Sequence, residues 1–271
     1  MDRSFRSSGP LGLSRLRLAL ALTALSCAGC VELPHPAQEK LKLAEKDYRS
    51  RDYRSATAKL DEILTDFPEY KQSAEAYYLR AECRIATNNK LGAASDLRKA
   101  ITLSNDPKLT ADSHASAGTL AYEAGNMSEA AAHYAEALKK LSEKPPADQI
   151  RYNYGVALMR QGDWKKARVQ FGIVFQRHPG STLAGNARDK FEWPFDYFVI
   201  QCGAFRDRPS AEKLSSKLQG SGLATRVESR QRAGETVYIV CVGSYPKYDL
   251  ATDALRSVRA KSSAAVIVPG L

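Results

Sequence analysis

At 271 residues with 44% apolar content, the chain has room for about two globular domains. Its formal charge of +10 hints at nucleic acid, but Arg3, Arg6, Arg15 and Arg17 less Asp2 place three of those units in an N-terminal leader, leaving a body nearer +7. The remaining bases are interspersed with acids rather than gathered in runs, which favours a solvated surface with mild attraction to an anionic wall or membrane over a nucleic-acid contact.

Residues 1–17 are basic, and 18–26 (LALALTALS) form an apolar stretch of nine residues, about half of what crosses a bilayer. This reads as an export signal rather than a stable span. Cys27 and Cys30 spell C-x-x-C at the end of that stretch, where processing is expected rather than metal or redox chemistry. Ala28-Gly29-Cys30 resembles the bacterial lipoprotein box, with Cys30 as the expected lipidated residue and Cys27 as a second, poorer frame. The resemblance implies residues 1–29 as signal peptide, 30–36 as the lipidated N-terminus and short linker, and a membrane anchor of more than one acyl chain. Val31 stands where Asp would signal inner-membrane retention. The expected address is therefore the outer membrane, facing the periplasm, in a host with two membranes.

From residue 37 to 181 the sequence repeats at a fixed offset. Small residues recur at Ala44, Ala81, Gly118 and Gly155, each followed twelve residues later by Ala56, Ala93, Ala130 and Ala167, and every step is 37 residues. A turn signal separates each pair: Arg51-Asp52, Asn88-Asn89, Gly125-Asn126 and Gly162-Asp163. Each unit reads as helix, tight turn, helix, with paired small residues forming the notch that lets antiparallel helices approach. Leu60, Leu97, Tyr134 and Phe171 fill the flank one turn later, and Pro68, Pro107 and Pro179 are expected to stop the second helices. Residues 182–195 have helical spacing with polar faces and then Trp193-Pro194, as a capping helix and linker would.

The pattern resembles the tetratricopeptide repeat family in four copies, although the family's early Trp is absent and its third small site is Ala only at Ala100 and Ala137, with Ile63 and Val174 elsewhere. The resemblance implies an α-solenoid whose concave face, made by the first helix of each pair, binds an extended peptide or a partner helix. Transferred by position, that face carries Tyr48, Arg49, Tyr78, Tyr122, Tyr152, Met159 and Arg160. Packing of these tyrosines between repeats would explain them equally well. The subtype that clamps a chaperone tail needs Lys and Asn where this chain has Leu41 with Glu45 and Tyr78 with Glu82, so no such clamp is expected.

Past Trp193-Pro194 the period changes. Residues 197–202 (YFVIQC) and 237–242 (VYIVCV) are β-branched and aromatic runs, and 224–230 and 264–268 read as two further strands. Residues 210–218 and 250–260 carry helical apolar faces. The order is strand, helix, strand, strand, helix, strand, and Gln201-Cys202-Gly203-Ala204-Phe205 is echoed by Cys241-Val242-Gly243-Ser244-Tyr245, each glycine being expected to end its strand. A split β-α-β sheet with both helices on one face leaves the opposite face open. Overall the expected fold is mainly α with an α+β C-terminal domain: a helical solenoid followed by a ferredoxin-like βαββαβ antiparallel sheet.

Residues 196–271 resemble the SPOR (sporulation-related repeat) domain through the IQCGAF segment, the AEKL helix, the VYIVCVGSY segment and the terminal strand. That resemblance implies binding of peptidoglycan glycan strands stripped of stem peptides, along the exposed sheet. It assigns Gln201 as the polar sheet residue, Phe205 as a structural aromatic, and Val237 and Ile239 as sheet-face positions. Period two adds Tyr197 and Val199 to the face of Gln201 and leaves Phe198, Ile200 and Cys202 for the helices. In the family register Cys241 joins the glycan face, so no disulfide to Cys202 is expected. Many family members carry Arg or an aromatic at Val237 or Ile239, which makes this platform less polar.

The same topology serves RNA recognition, but residues 235–242 (ETVYIVCV) lack the basic-Gly-aromatic-x-aromatic pattern, so nucleic acid is not an expected partner. No serine elbow, phosphate loop or metal spacing appears, and His35, His114, His133 and His178 are scattered; no catalytic residue, metal or cofactor is expected. The reading is a non-enzymatic envelope adaptor, enriched at the division septum, that binds glycan through its last domain and an unidentified protein through its repeats. The alternative is a repeat scaffold of an assembly complex, with the last domain only localising it.

Overall fold

The computed structural model describes residues 32–232 and 234–270; the leader with Cys27 and Cys30 lies outside them. Eight helices pair in chain order: α1 (His35–Arg49) with α2 (Tyr53–Asp66), α3 (Ser73–Ala86) with α4 (Lys90–Leu103), α5 (Pro107–Glu123) with α6 (Met127–Ala137), and α7 (Ala147–Arg160) with α8 (Trp164–Arg177). The capping helix α9 (Ala184–Phe191) packs on α8.

Each pair turns through one left-handed residue at the same repeat position: Arg51, Asn88, Gly125 and Gly162, with φ of 65°, 62°, 84° and 88°. The residue after it is the N-cap of the second helix, and in the first two pairs its side chain accepts from that helix's first turn. The Asp52 carboxylate accepts from the Ser55 N–H at 3.0 Å and the Asn89 side-chain oxygen from the Gly92 N–H at 3.1 Å, caps worth about 1 kcal/mol each. Pro107 is a correction: α4 already ends at Leu103, and Pro107 opens α5, where its missing N–H has no partner to lose.

The notches are filled by volume compensation. Repeats one and two pair Ala44 and Ala81 with Leu60 and Leu97, all buried. Repeats three and four carry rings instead, and there the alanine becomes glycine: a Cβ on Gly118 would lie 2.8 Å from the Tyr134 ring, and one on Gly155 2.7 Å from Phe171. Between α3 and α4, Asp96 is buried and accepts from Arg80 Nη2 at 2.7 Å and Arg84 Nη1 at 2.6 Å, so its charge is matched within the solenoid.

The C-terminal domain runs β1 (Phe198–Phe205), α10 (Arg208–Gly220), β2 (Thr225–Arg232), β3 (Glu235–Tyr245), α11 (Tyr248–Arg259) and β4 (Val266–Pro269), in an antiparallel sheet ordered β2-β3-β1-β4. Ile200, Cys202, Val240 and Val242 pack beneath α10 and α11 with Leu218, Leu255 and Val258. Val199, Ile239 and Cys241 form a separate cluster on the other face. Cys202 and Cys241 thus lie on opposite faces, and both thiols are free and buried.

Gly203 and Gly243 do not end their strands. Both lie inside them, and the aromatic two residues on folds back over the glycine: a Cβ on Gly203 would meet the Phe205 ring at 2.8 Å, and one on Gly243 would run into the Tyr245 ring. Gly243 also has a φ of +68°, so side chain and backbone both require glycine there.

The two domains are docked. Trp164 of α8 donates from Nε1 to the Pro246 carbonyl at 3.0 Å and its ring packs 4.8 Å from Phe198, which meets Tyr248 edge-on at 5.4 Å. The Arg160 guanidinium lies 4.5 Å from the centre of the Tyr248 ring. A Cβ on Gly162 would come 2.9 Å from the Pro246 carbonyl, so glycine serves both the helix turn and the domain contact. Phe198 and Ala251 belong to one buried cluster with Phe171 and Val174 of the last repeat.

Candidate functional site

The sheet face away from α10 and α11 is where the expected glycan residues fall, and the structure sorts them. Gln201, Tyr197 and Val237 are half-buried and reach the surface. Val199 and Ile239, expected as contact residues, form the floor instead, at 0% and 8% exposure. Their burial has a cause the periodicity of β1 and β3 does not contain: Tyr197, Val237 and Val268 pack against them, and side chains from β2 reach over the same face.

Arg226 Nη1 donates to the Gly243 carbonyl at 2.7 Å and its Nε to Glu228. The Arg230 guanidinium lies 5.0 Å from the Phe195 ring, and Phe195 packs 5.5 Å from Tyr197. Since β3 lies between β2 and β1, the contact of Arg230 with the residue just before β1 bridges the face. The Cys241 thiol beneath is pushed up to about 12, by burial first and then by the Glu228 charge. This face is a buried apolar floor overlaid by Tyr197 and Val237 and flanked by guanidinium groups, rather than a bare platform. Arg226, Glu228 and Arg230 alternate along residues 225–232, and that period is the signal that would have found them.

The repeat residues divide in the same way. Tyr48 packs 5.8 Å from Tyr53, and Tyr152 meets Phe171 edge-on at 5.5 Å; Tyr78 and Tyr122 are half-buried against the cores of their own and neighbouring repeats. Arg49 is exposed beside Glu45. Met159 and Arg160 leave the expected groove, because the C-terminal domain docks there: Met159 is buried and Arg160 is held over Tyr248.

The groove the first helices do form is acidic. A cleft of about 530 Å³ is lined by Glu45, Glu75, Tyr78, Asp106 and Asp112, with Lys71 and Lys108 among its other walls. Burial raises the Glu75 carboxyl above its ordinary range, helped by the charges of Glu45 and Asp106. Burial likewise raises Glu82, against the lowering effect of its hydrogen bond from Ser116 and with a further push from Asp112. Glu45 and Glu82, like Glu75 and Asp112, stand 37 residues apart, so the acidic lining is itself a repeat feature. Among the described residues there is no group of three or more His, Cys, Asp and Glu placed to hold a metal ion, and no helix is long and apolar enough to cross a membrane.

A helical solenoid with an acidic groove and a small sheet with one face turned away from its helices make this a protein of two binding modules, neither of a catalytic class. The chain carries tetratricopeptide repeats, whose family model matches residues 41–108 and 116–180, and a SPOR domain, whose model matches 194–269. The first module speaks for protein–protein interaction and the second for peptidoglycan binding. Among solved structures, YrrB, described as a TPR protein with an unusual peptide-binding site, is 20% identical with a TM-score of 0.50, covering 57% of this chain and 74% of that one. PilW, described as a widely conserved type IV pilus biogenesis factor, is 21% identical with a TM-score of 0.44, covering 59% and 78%. At that identity the likeness to YrrB shows the fold of the solenoid alone. No curated protein matches the chain.

Proposed function

We propose that the chain is a non-enzymatic adaptor of the bacterial cell envelope, anchored through lipid at Cys30, that holds a protein partner in its repeat groove and peptidoglycan glycan on its sheet. The observation that carries this reading is the sheet face opposite α10 and α11: no helix among the described residues covers it, Gln201, Tyr197 and Val237 reach its surface, and the solenoid docks through Trp164. Glycan stripped of stem peptides suits this face, since removing the peptide leaves a carboxylate on each muramic acid residue for the guanidinium groups of Arg226 and Arg230 to meet. That form of glycan is expected where wall is remodelled, so the protein acts in division or remodelling and concentrates at the septum, on the periplasmic side of the outer membrane. In the groove, Glu45, Glu75 and Asp112 favour a partner segment carrying basic residues.

The test is co-sedimentation of the full chain with sacculi before and after an amidase removes the stem peptides. Binding should rise after amidase treatment, and Gln201→Ala should weaken it by up to about tenfold, the worth of one hydrogen bond. A chain that stays in the supernatant with both kinds of sacculi defeats the glycan reading and leaves the repeats as the working part.

A further inference from the structure

Neither binding surface accounts for the cleft at the joint between the two domains. It encloses about 230 Å³ between α8, α9 and the entry to β1, and its walls are the rings of Trp164, Phe171, Trp193 and Phe195 with Met159 and Pro269. An apolar cavity of about 150 Å³ takes a benzene molecule, so this one holds a phenyl or branched alkyl group with space for a small polar head.

One cation of this lining is unmatched: Lys190 lines the cleft and makes no hydrogen bond or ion pair among the described residues, although Asp189 is its neighbour in sequence. Arg168, the other cation, is occupied: its Nε donates to the Trp193 carbonyl at 3.2 Å and its Nη2 to Asp196. Burial lowers the Lys190 ammonium from its ordinary value, with Asp189 only partly opposing, so an anion beside it would relieve a real cost.

From this geometry we infer that the interdomain cleft is a binding site for an apolar group bearing a carboxylate, with its body among the four rings and its carboxylate on Lys190. A free aryl or alkyl acid has this chemistry, and so does the C-terminal aromatic residue of a peptide. Because solenoid and sheet domain both contribute walls, the bound group would tie the joint.

Trp164 and Trp193 are the two tryptophans of the chain, so occupancy reads directly in intrinsic fluorescence. The full chain is titrated with phenylpropionate, with phenylpropionamide, and with N-acetyl-glycyl-phenylalanine and its C-terminal amide. The expected result is a saturable change with a carboxylate form that is at least about tenfold weaker with the matching amide, and about tenfold weaker in Lys190→Gln, the worth of one charge-assisted hydrogen bond. Saturation by the free acid identifies a small-molecule source; saturation by the dipeptide alone identifies a chain terminus. No saturable change with any of the four, an equal response to acid and amide, or a response unaltered in Lys190→Gln overturns the inference.

Discussion

Gly155→Ala tests the packing argument, because local and tertiary effects push in opposite directions. In a helix interior, alanine is favoured over glycine by about 1 kcal/mol. Here the added methyl would lie 2.7 Å from Phe171 Cε1 and 2.9 Å from its Cζ, and Phe171 is 1% exposed. Overpacking of that kind costs about 1–3 kcal/mol, so the single variant should be destabilised by up to about 2 kcal/mol despite its better helix propensity. Phe171→Leu restores the alanine–leucine pairing that repeats one and two use, and in that background Gly155→Ala should stabilise by up to about 1 kcal/mol. The difference between the two backgrounds is a coupling of about 1–3 kcal/mol, measured as a double-mutant cycle from urea midpoints followed by far-ultraviolet circular dichroism. If Gly155→Ala has the same effect with Phe171 and with Leu at that position, the compensation argument is wrong for this solenoid.

Asp96→Asn should cost up to about 3 kcal/mol in urea unfolding, because it leaves Arg84, at 23% side-chain exposure, without a carboxylate and Arg80, at 13%, with Asp61 alone; a change within experimental error would show that their charges are solvated. His114 and His133, on α5 and α6, share a proton between Nδ1 atoms 2.9 Å apart, and burial holds both below the ordinary value of 6.5, with the His133 charge a further cause for His114. Protonation therefore favours the unfolded chain, so this pair's stabilisation is present above about pH 6.5 and is lost as pH falls through the lower folded values. The melting temperature should drop between neutral pH and about pH 5, and a drop of the same size in His133→Gln would assign it to other groups.

The solenoid was legible because its evidence is written four times. One offset aligned notch and turn signal, so that Arg51, Asn88, Gly125 and Gly162 fall in turns by spacing alone, and the structure adds that each is left-handed. The sheet was legible in order and facing, since alternation along 197–202 and the family register on 237–242 sort Val240 from Cys241 correctly. Alternation gives direction, however, and not exposure: it could not see that Tyr197, Val237 and Val268 would bury Val199 and Ile239. Nor does any local pattern link Trp164 to Pro246, 82 residues later, which is why Met159 and Arg160 were expected in the groove. The acidic lining was readable from the spacing of Glu45 with Glu82 and of Glu75 with Asp112, but only by asking the repeat what charge it carries as well as what it packs.

The indole of Trp164, wedged against Phe198 and Tyr248, makes the passage from helices to strands a keyed joint instead of a slack cord. Pulling on whatever the strands grip would turn the whole rod of repeats with it, and a partner seated along that rod would be carried at a set bearing to the wall.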